Sequence, residues 1–60
     1  MNTNRRLKKA LQASGLTRRE LAEALGVVSK DAIDSYLSSP DNAAYRMCPE
    51  PVARLAELLH

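Results

Sequence analysis

Sixty residues carrying nine Lys and Arg against seven Asp and Glu, a formal net charge of +2, leave room for one domain, because a chain of this size buries only about 60% of the surface its unfolded form exposes. The chain has no Trp, no Phe and two Tyr, so its core must come from Leu, Ile, Val, Ala and Tyr, and so thin a core makes a homodimer the expected state. A single cysteine, Cys48, excludes an internal disulfide, and no apolar run of signal-peptide length follows the basic N-terminus; neither secretion nor membrane insertion is expected, and the cytoplasm is the expected compartment.

The first helix is predicted from Thr3, as N-cap, to Ser14, with Leu7, Ala10, Leu11 and Ser14 on one stripe at three- and four-residue spacing. Gly15 supplies a left-handed stop, and Leu16-Thr17 restarts the chain at once. Thr17 and Glu20 have the capping-box spacing, with Leu16 and Leu21 placed to staple around it. A second helix then covers Arg18 to Leu25, burying Leu21, Ala22 and Leu25, and Gly26 ends it. The small Ala22 suits a close crossing with the next helix.

A third helix is predicted to start after Ser29, a good N-cap residue, and to reach Leu37 or Ser38. At roughly 100° per residue, Lys30, Asp31, Asp34 and Ser35 share one half of it, while Ala32, Ile33, Tyr36 and Leu37 share the other. Ser38 to Asn42 reads as a turn. Ala43 to Cys48 reads either as a short helical turn or as an extended loop, followed by Pro49 and Pro51 at a helix start. The last helix is predicted from Glu50 to Leu59. Its stripe of Val52, Leu55, Ala56, Leu58 and Leu59 is wider than docking on three helices requires. The surplus makes Val52, Leu55, Leu58 and Leu59 the expected dimer surface.

Charge is unevenly distributed along this framework. Arg5, Arg6, Lys8, Lys9, Arg18 and Arg19 all precede the first acid, and every acid falls from Glu20 onward. Two short helices around a tight Gly-containing turn, from Leu16 to Leu37, form a helix-turn-helix pattern, in which the second helix lies in the major groove of double-stranded DNA. Thr17, Arg18 and Arg19 are then expected at the phosphate backbone, where the amides of a helix N-terminus add a favourable dipole. Ser29, Lys30 and Ser35 are expected to reach base edges, unless they are only a cap and a polar helix face. Arg46 is placed to reach the backbone beside the third helix or to stack on a tyrosine. For Arg5, Arg6, Lys8 and Lys9, phosphate contact and plain solvation stand side by side.

Residues 15 to 37, with Leu16-Thr17, Leu21-Ala22, Leu25-Gly26-Val27-Val28-Ser29, Ile33 and Tyr36, resemble the helix-turn-helix of the phage Cro and C-repressor superfamily. Tyr36-Leu37-Ser38, Tyr45-Arg46 and Pro49-Glu50-Pro51-Val52 extend the resemblance to small phage autoregulators encoded beside anti-CRISPR genes. The resemblance implies an all-α, lambda-repressor-like bundle of four to five helices and a homodimeric regulator that binds an inverted-repeat operator. Two departures stand out. The turn is one residue longer than the family's usual Gly-Val-Ser, which bars transfer of base contacts position by position. Asp31 and Asp34 lie on the half that would meet DNA, where they are repelled by phosphates but can accept from cytosine N4 and so serve as specificity or exclusion elements.

Catalysis has little support in these residues. His60 and Cys48 have no second imidazole or thiol to complete a metal site, no Gly-rich phosphate loop occurs, and Asp31 and Asp34 read as surface carboxylates without a cleft. No cofactor, metal or small-molecule substrate is expected. The competing reading is a module that docks a protein partner through its acidic third helix and apolar last helix.

Overall fold

The structure, a computed structural model, describes residues 2–59 of the chain. Four helices follow one another, α1 (Thr3–Ser14), α2 (Arg18–Leu25), α3 (Lys30–Leu37) and α4 (Glu50–Leu58), and the described residues contain no strand. The protein is thus a small all-α bundle. The most extensive packing joins α1 to α4, the first and last elements, and α2 packs chiefly on α3. Leu7, Ala10, Leu21, Ala22, Leu25, Ile33, Cys48, Val52, Ala53 and Ala56 form one core, with Leu11, Leu16, Val28, Tyr36 and Leu37 packed against it.

Local chemistry sets the helix ends. Gly15 and Gly26 both close their helices in the left-handed conformation, at φ of 73° and 72°, where a side chain would add strain. The Thr17–Glu20 capping box forms in full: the Thr17 hydroxyl accepts from the Glu20 amide at 3.1 Å and the Glu20 carboxylate accepts from the Thr17 amide at 2.9 Å. Those hydrogen bonds hold the Glu20 carboxyl below its ordinary value of 4.5. Ser29 caps α3 by accepting from the Ala32 amide at 3.2 Å.

Two expectations are corrected, and one open alternative is decided. The cap of α1 is Asn2, whose Oδ1 accepts from the Arg5 amide at 2.8 Å. Thr3 becomes the first helical residue, and its hydroxyl donates to the Cys48 carbonyl, with Met47 Sδ 3.5 Å away. Residues 43–48 form no helix: the Tyr45 amide donates to the Asn42 carbonyl at 3.0 Å, and an extended segment then leads to Pro49. In α4 the buried side is Val52, Ala53 and Ala56, whereas Leu55, Leu58 and Leu59 are exposed. Val52 therefore belongs to the core and not to any dimer surface. The small Ala53 and Ala56 face inward because α4 lies close on α1, leaving the larger leucines outside.

Asn4, absent from the expected stripe of α1, is the polar member of the interior. Its Nδ2 donates to the carbonyls of Tyr36 at 2.7 Å and Arg46 at 2.8 Å, and its Oδ1 accepts from the Cys48 amide at 2.9 Å. One amide thereby ties α1 to the end of α3 and to the segment entering α4, satisfying backbone groups that no regular element pairs. Arg6 makes a second tie across the same pair of helices. Its Nε and Nη2 reach the two Glu57 carboxylate oxygens at 3.1 and 2.6 Å, and Nη1 reaches Glu50 at 2.6 Å. The two carboxylates raise the guanidinium's already high pKa further, so Arg6 stays charged at any pH at which the protein folds.

Candidate nucleic-acid interface

Two positively charged helix starts stand out. Arg5 and Arg6 lie in the first turn of α1, which contains no acid, and Arg18 and Arg19 open α2. Cations at the positive end of a helix dipole oppose helix stability. Arg6 has an evident structural role at Glu50 and Glu57. Arg5, Lys8, Lys9 and Arg19 make no side-chain hydrogen bond or ion pair among the described residues and project into solvent. Folding does not account for their charge.

At the start of α2, Thr17 is committed to its cap, and the backbone N–H groups of Arg18 and Arg19 find no acceptor among the described residues. A shallow groove of about 340 Å³ runs between α2 and the start of α3, lined by Arg19, Ala22, Glu23, Val28, Ser29 and Lys30. It brings together three of the predicted contact residues, Arg19, Ser29 and Lys30. The four-residue turn between the helices accounts for their spacing. Val28 packs on the core, while Val27 is 64% exposed, so the turn loops Val27 outward.

On α3, Lys30 and Asp31 are exposed, and Asp34 and Ser35 are half-buried. Asp34 is engaged from both sides. Arg18 Nη1 lies 2.8 Å from its Oδ1, and Lys30 Nζ lies 2.9 Å from its Oδ2. The Arg18 hydrogen bond, then that of Lys30, holds the Asp34 carboxyl below its ordinary 3.8. Asp31 has no ion pair among the described residues. Ser35 contributes its carbonyl, which accepts from the Arg46 amide at 3.3 Å and the Ser38 amide at 3.4 Å.

Arg46 sits apart from these groups. Its Nη1 donates to the carbonyls of Ala43 at 3.1 Å and Tyr45 at 2.7 Å, fastening its own loop, and the side chain remains exposed. Beside that loop a second open groove, about 360 Å³, is bordered by Arg5 and Lys8 of α1 and by Tyr36, Ser38, Ser39 and Tyr45. The sequence left Arg5 and Lys8 between phosphate contact and plain solvation, and it did not foresee this groove. Its signal is the i, i+3 spacing, which puts both cations on one side of α1.

Among the described residues the exposed large apolar side chains are Leu55 and Leu58 on α4, Leu59 at its C-terminal cap, Val27 and Met47; Leu58 is 74% exposed. Cys48 is buried, which pushes its thiol up from the ordinary value of 9.0. No grouping of three or more His, Cys, Asp or Glu that would hold a metal occurs among the described residues, and His60 lies outside them. No described helix is long and apolar enough to cross a membrane. Comparison with known protein families, curated proteins and solved structures finds no match to this chain.

Proposed function

We propose that this protein is a sequence-specific DNA-binding transcriptional regulator of the helix-turn-helix type. The observation that carries the proposal is the shared edge of α2 and α3, where Arg18, Arg19 and two free backbone amides adjoin the polar half of a short helix whose first residues, Lys30 and Asp31, are exposed. Phosphate oxygens are the ligands that unpaired amides and guanidinium groups at a helix N-terminus suit best. Helix α3, with Lys30 and Ser35 on its open half, is the element that enters the major groove and reads base edges. Ser29 holds the start of that helix through its cap and keeps its hydroxyl proton for a base or phosphate.

The regulator works as a homodimer on an inverted repeat, with recognition helices about 34 Å apart, one turn of the duplex. Leu55, Leu58 and Leu59 supply the apolar contact between copies. Its origin is a phage or mobile element, its compartment the cytoplasm, and its action the occlusion of a promoter. Arg46 serves from the loop after α3, its exposed guanidinium reaching the flanking backbone while Nη1 braces the loop.

Arg19 separates backbone contact from folding, because it makes no intramolecular pair. Arg19→Ala should weaken binding to every duplex and reduce the salt slope of log K by about 1, whereas Lys30→Ala and Ser35→Ala should change which sequence is preferred. Fluorescence anisotropy on a panel of duplexes at several salt concentrations reads both effects. Equal losses from all three variants on every duplex would count against this division of roles.

A second reading rests on the same exposed leucines together with unpaired Asp31: a module that docks a protein partner through α3 and α4. It predicts a folded protein with no salt-dependent affinity for DNA.

A further inference from the structure

An acid in the middle of a face that meets a polyanion calls for an explanation, and Asp34 is tied to two cations of that face at once. Its carboxylate bridges Arg18, from the start of α2, and Lys30, one turn earlier on α3. Asp31, on the same helix, binds neither. All three side chains of the bridge are a third to a half exposed, with relative accessibilities of 48% and 50% for the cations and 33% for Asp34. An ion pair this open adds little to folding stability. Its main effect is on what the two cations are free to do. Arg18 and Lys30 are engaged by a protein carboxylate before any phosphate arrives.

We infer that Asp34 is a built-in competitor for Arg18 and Lys30 that suppresses binding to duplexes that place no base donor where its carboxylate meets the major groove. The inference rests on the DNA-binding reading above and names how that surface discriminates. A phosphate that takes Arg18 or Lys30 releases Asp34 into a strongly negative surrounding. The released carboxylate is satisfied where a base presents a hydrogen-bond donor in the major groove, as the cytosine N4 amine does, and is left repelled where the base presents acceptors only. Discrimination thus comes partly from a penalty against wrong sequences and not from attraction to the right one alone. Arg19, with no carboxylate partner, remains the unconditional backbone contact.

The test compares the wild-type protein with Asp34→Asn, Asp31→Asn, Arg18→Ala and the Arg18→Ala/Asp34→Asn pair. The probes are the duplex preceding the protein's own coding sequence and a scrambled duplex of equal composition, followed by fluorescence anisotropy between 50 and 200 mM salt. Asp34→Asn should raise affinity for the scrambled duplex by about tenfold and steepen its salt slope by about 1, while affinity for the preferred duplex rises less. The preference between the two therefore shrinks. Asp31→Asn removes the same charge without freeing a cation, so it should raise both affinities alike and leave the preference intact. In the Arg18→Ala background the gain from Asp34→Asn should be smaller, the non-additivity expected of groups in direct contact.

Unchanged or weaker binding of Asp34→Asn to the scrambled duplex, with wild type still preferring the upstream one, would overturn the inference and leave the DNA-binding reading standing. An Asp34 effect that is the same with and without Arg18 would also overturn it. Absence of binding by every variant to either duplex at 50 mM salt, from folded samples, would overturn both. Asp34→Ser repeats the measurement if circular dichroism shows that the Asn variant has lost its helices.

Discussion

The two halves of the bundle use similar residues to different ends. Between α1 and α4, Arg6 is forked onto Glu57 and reaches Glu50, and the buried Asn4 spends its amide on three backbone partners. Between α2 and α3, the helices are eight residues each, each is capped by its own preceding hydroxyl, and the ion pairs are open to solvent. The first half is fastened by polar groups inside the fold. The second keeps its polar groups at the surface, where a ligand can compete for them.

The largest effect expected from breaking the braced half is that of Asn4→Ala. It leaves the Cys48 amide and the carbonyls of Tyr36 and Arg46 without their partner, which should cost about 3 kcal/mol and unfold much of a domain this small; urea denaturation measures it. Arg6→Met comes next. The Glu50 and Glu57 carboxylates lose their shared cation, so the urea midpoint should fall, though by less than for Asn4→Ala, because the glutamates are partly solvated. A midpoint that responds equally to Arg18→Met would mean that the two halves are not braced differently after all.

Acid separates the halves more finely. The Glu20 and Asp34 carboxyls are both held below their ordinary values, by the Thr17 cap and by Arg18 with Lys30 respectively. A carboxyl lowered in the folded state contributes stability that is complete above its unfolded value, at about pH 5 and higher, and is lost as pH falls through its folded value. The wild-type urea midpoint should therefore drop as pH falls from 5 to 2, and Glu20→Gln should make that curve shallower. A curve of unchanged shape in Glu20→Gln would assign the acid sensitivity to other groups. Smallest in its effect on the fold, Leu58→Glu should leave helicity intact and, in the homodimer proposed above, halve the solution mass measured by sedimentation equilibrium. An unchanged mass would place any interface between copies elsewhere.

Helix α2 was fully legible in the sequence, because Thr17, Glu20 and the two glycines fix its ends by local chemistry alone. Helix α3 was as well, from Ser29 to Leu37. What escaped depended on pairing between distant segments. Asn4 stands at i−3 to Leu7 on the apolar stripe, a visible signal, but its three partners lie more than thirty residues away. On α4 the outward leucines were legible, but Val52 was placed outside and Ala53 was missed, because a hydropathy pattern gives a small alanine little weight whereas packing on α1 selects it. Within the candidate interface, the residue types were readable and the Asp34 bridge was not, since the i, i+4 spacing from Lys30 shows only one of its two cations. Arg6 and Arg5 were indistinguishable in sequence; Glu50 and Glu57, two helical turns apart on α4, tell them apart once α1 and α4 are paired.

The most direct test of the account is binding of the folded protein to the DNA preceding its own coding sequence against a scrambled duplex, by fluorescence anisotropy at two salt concentrations. Sequence-specific binding through α2 and α3 predicts tighter binding to the upstream duplex and a steep loss of affinity as salt rises. No binding to either duplex at low salt, from a folded dimeric sample, would contradict it and bring the protein-docking reading forward.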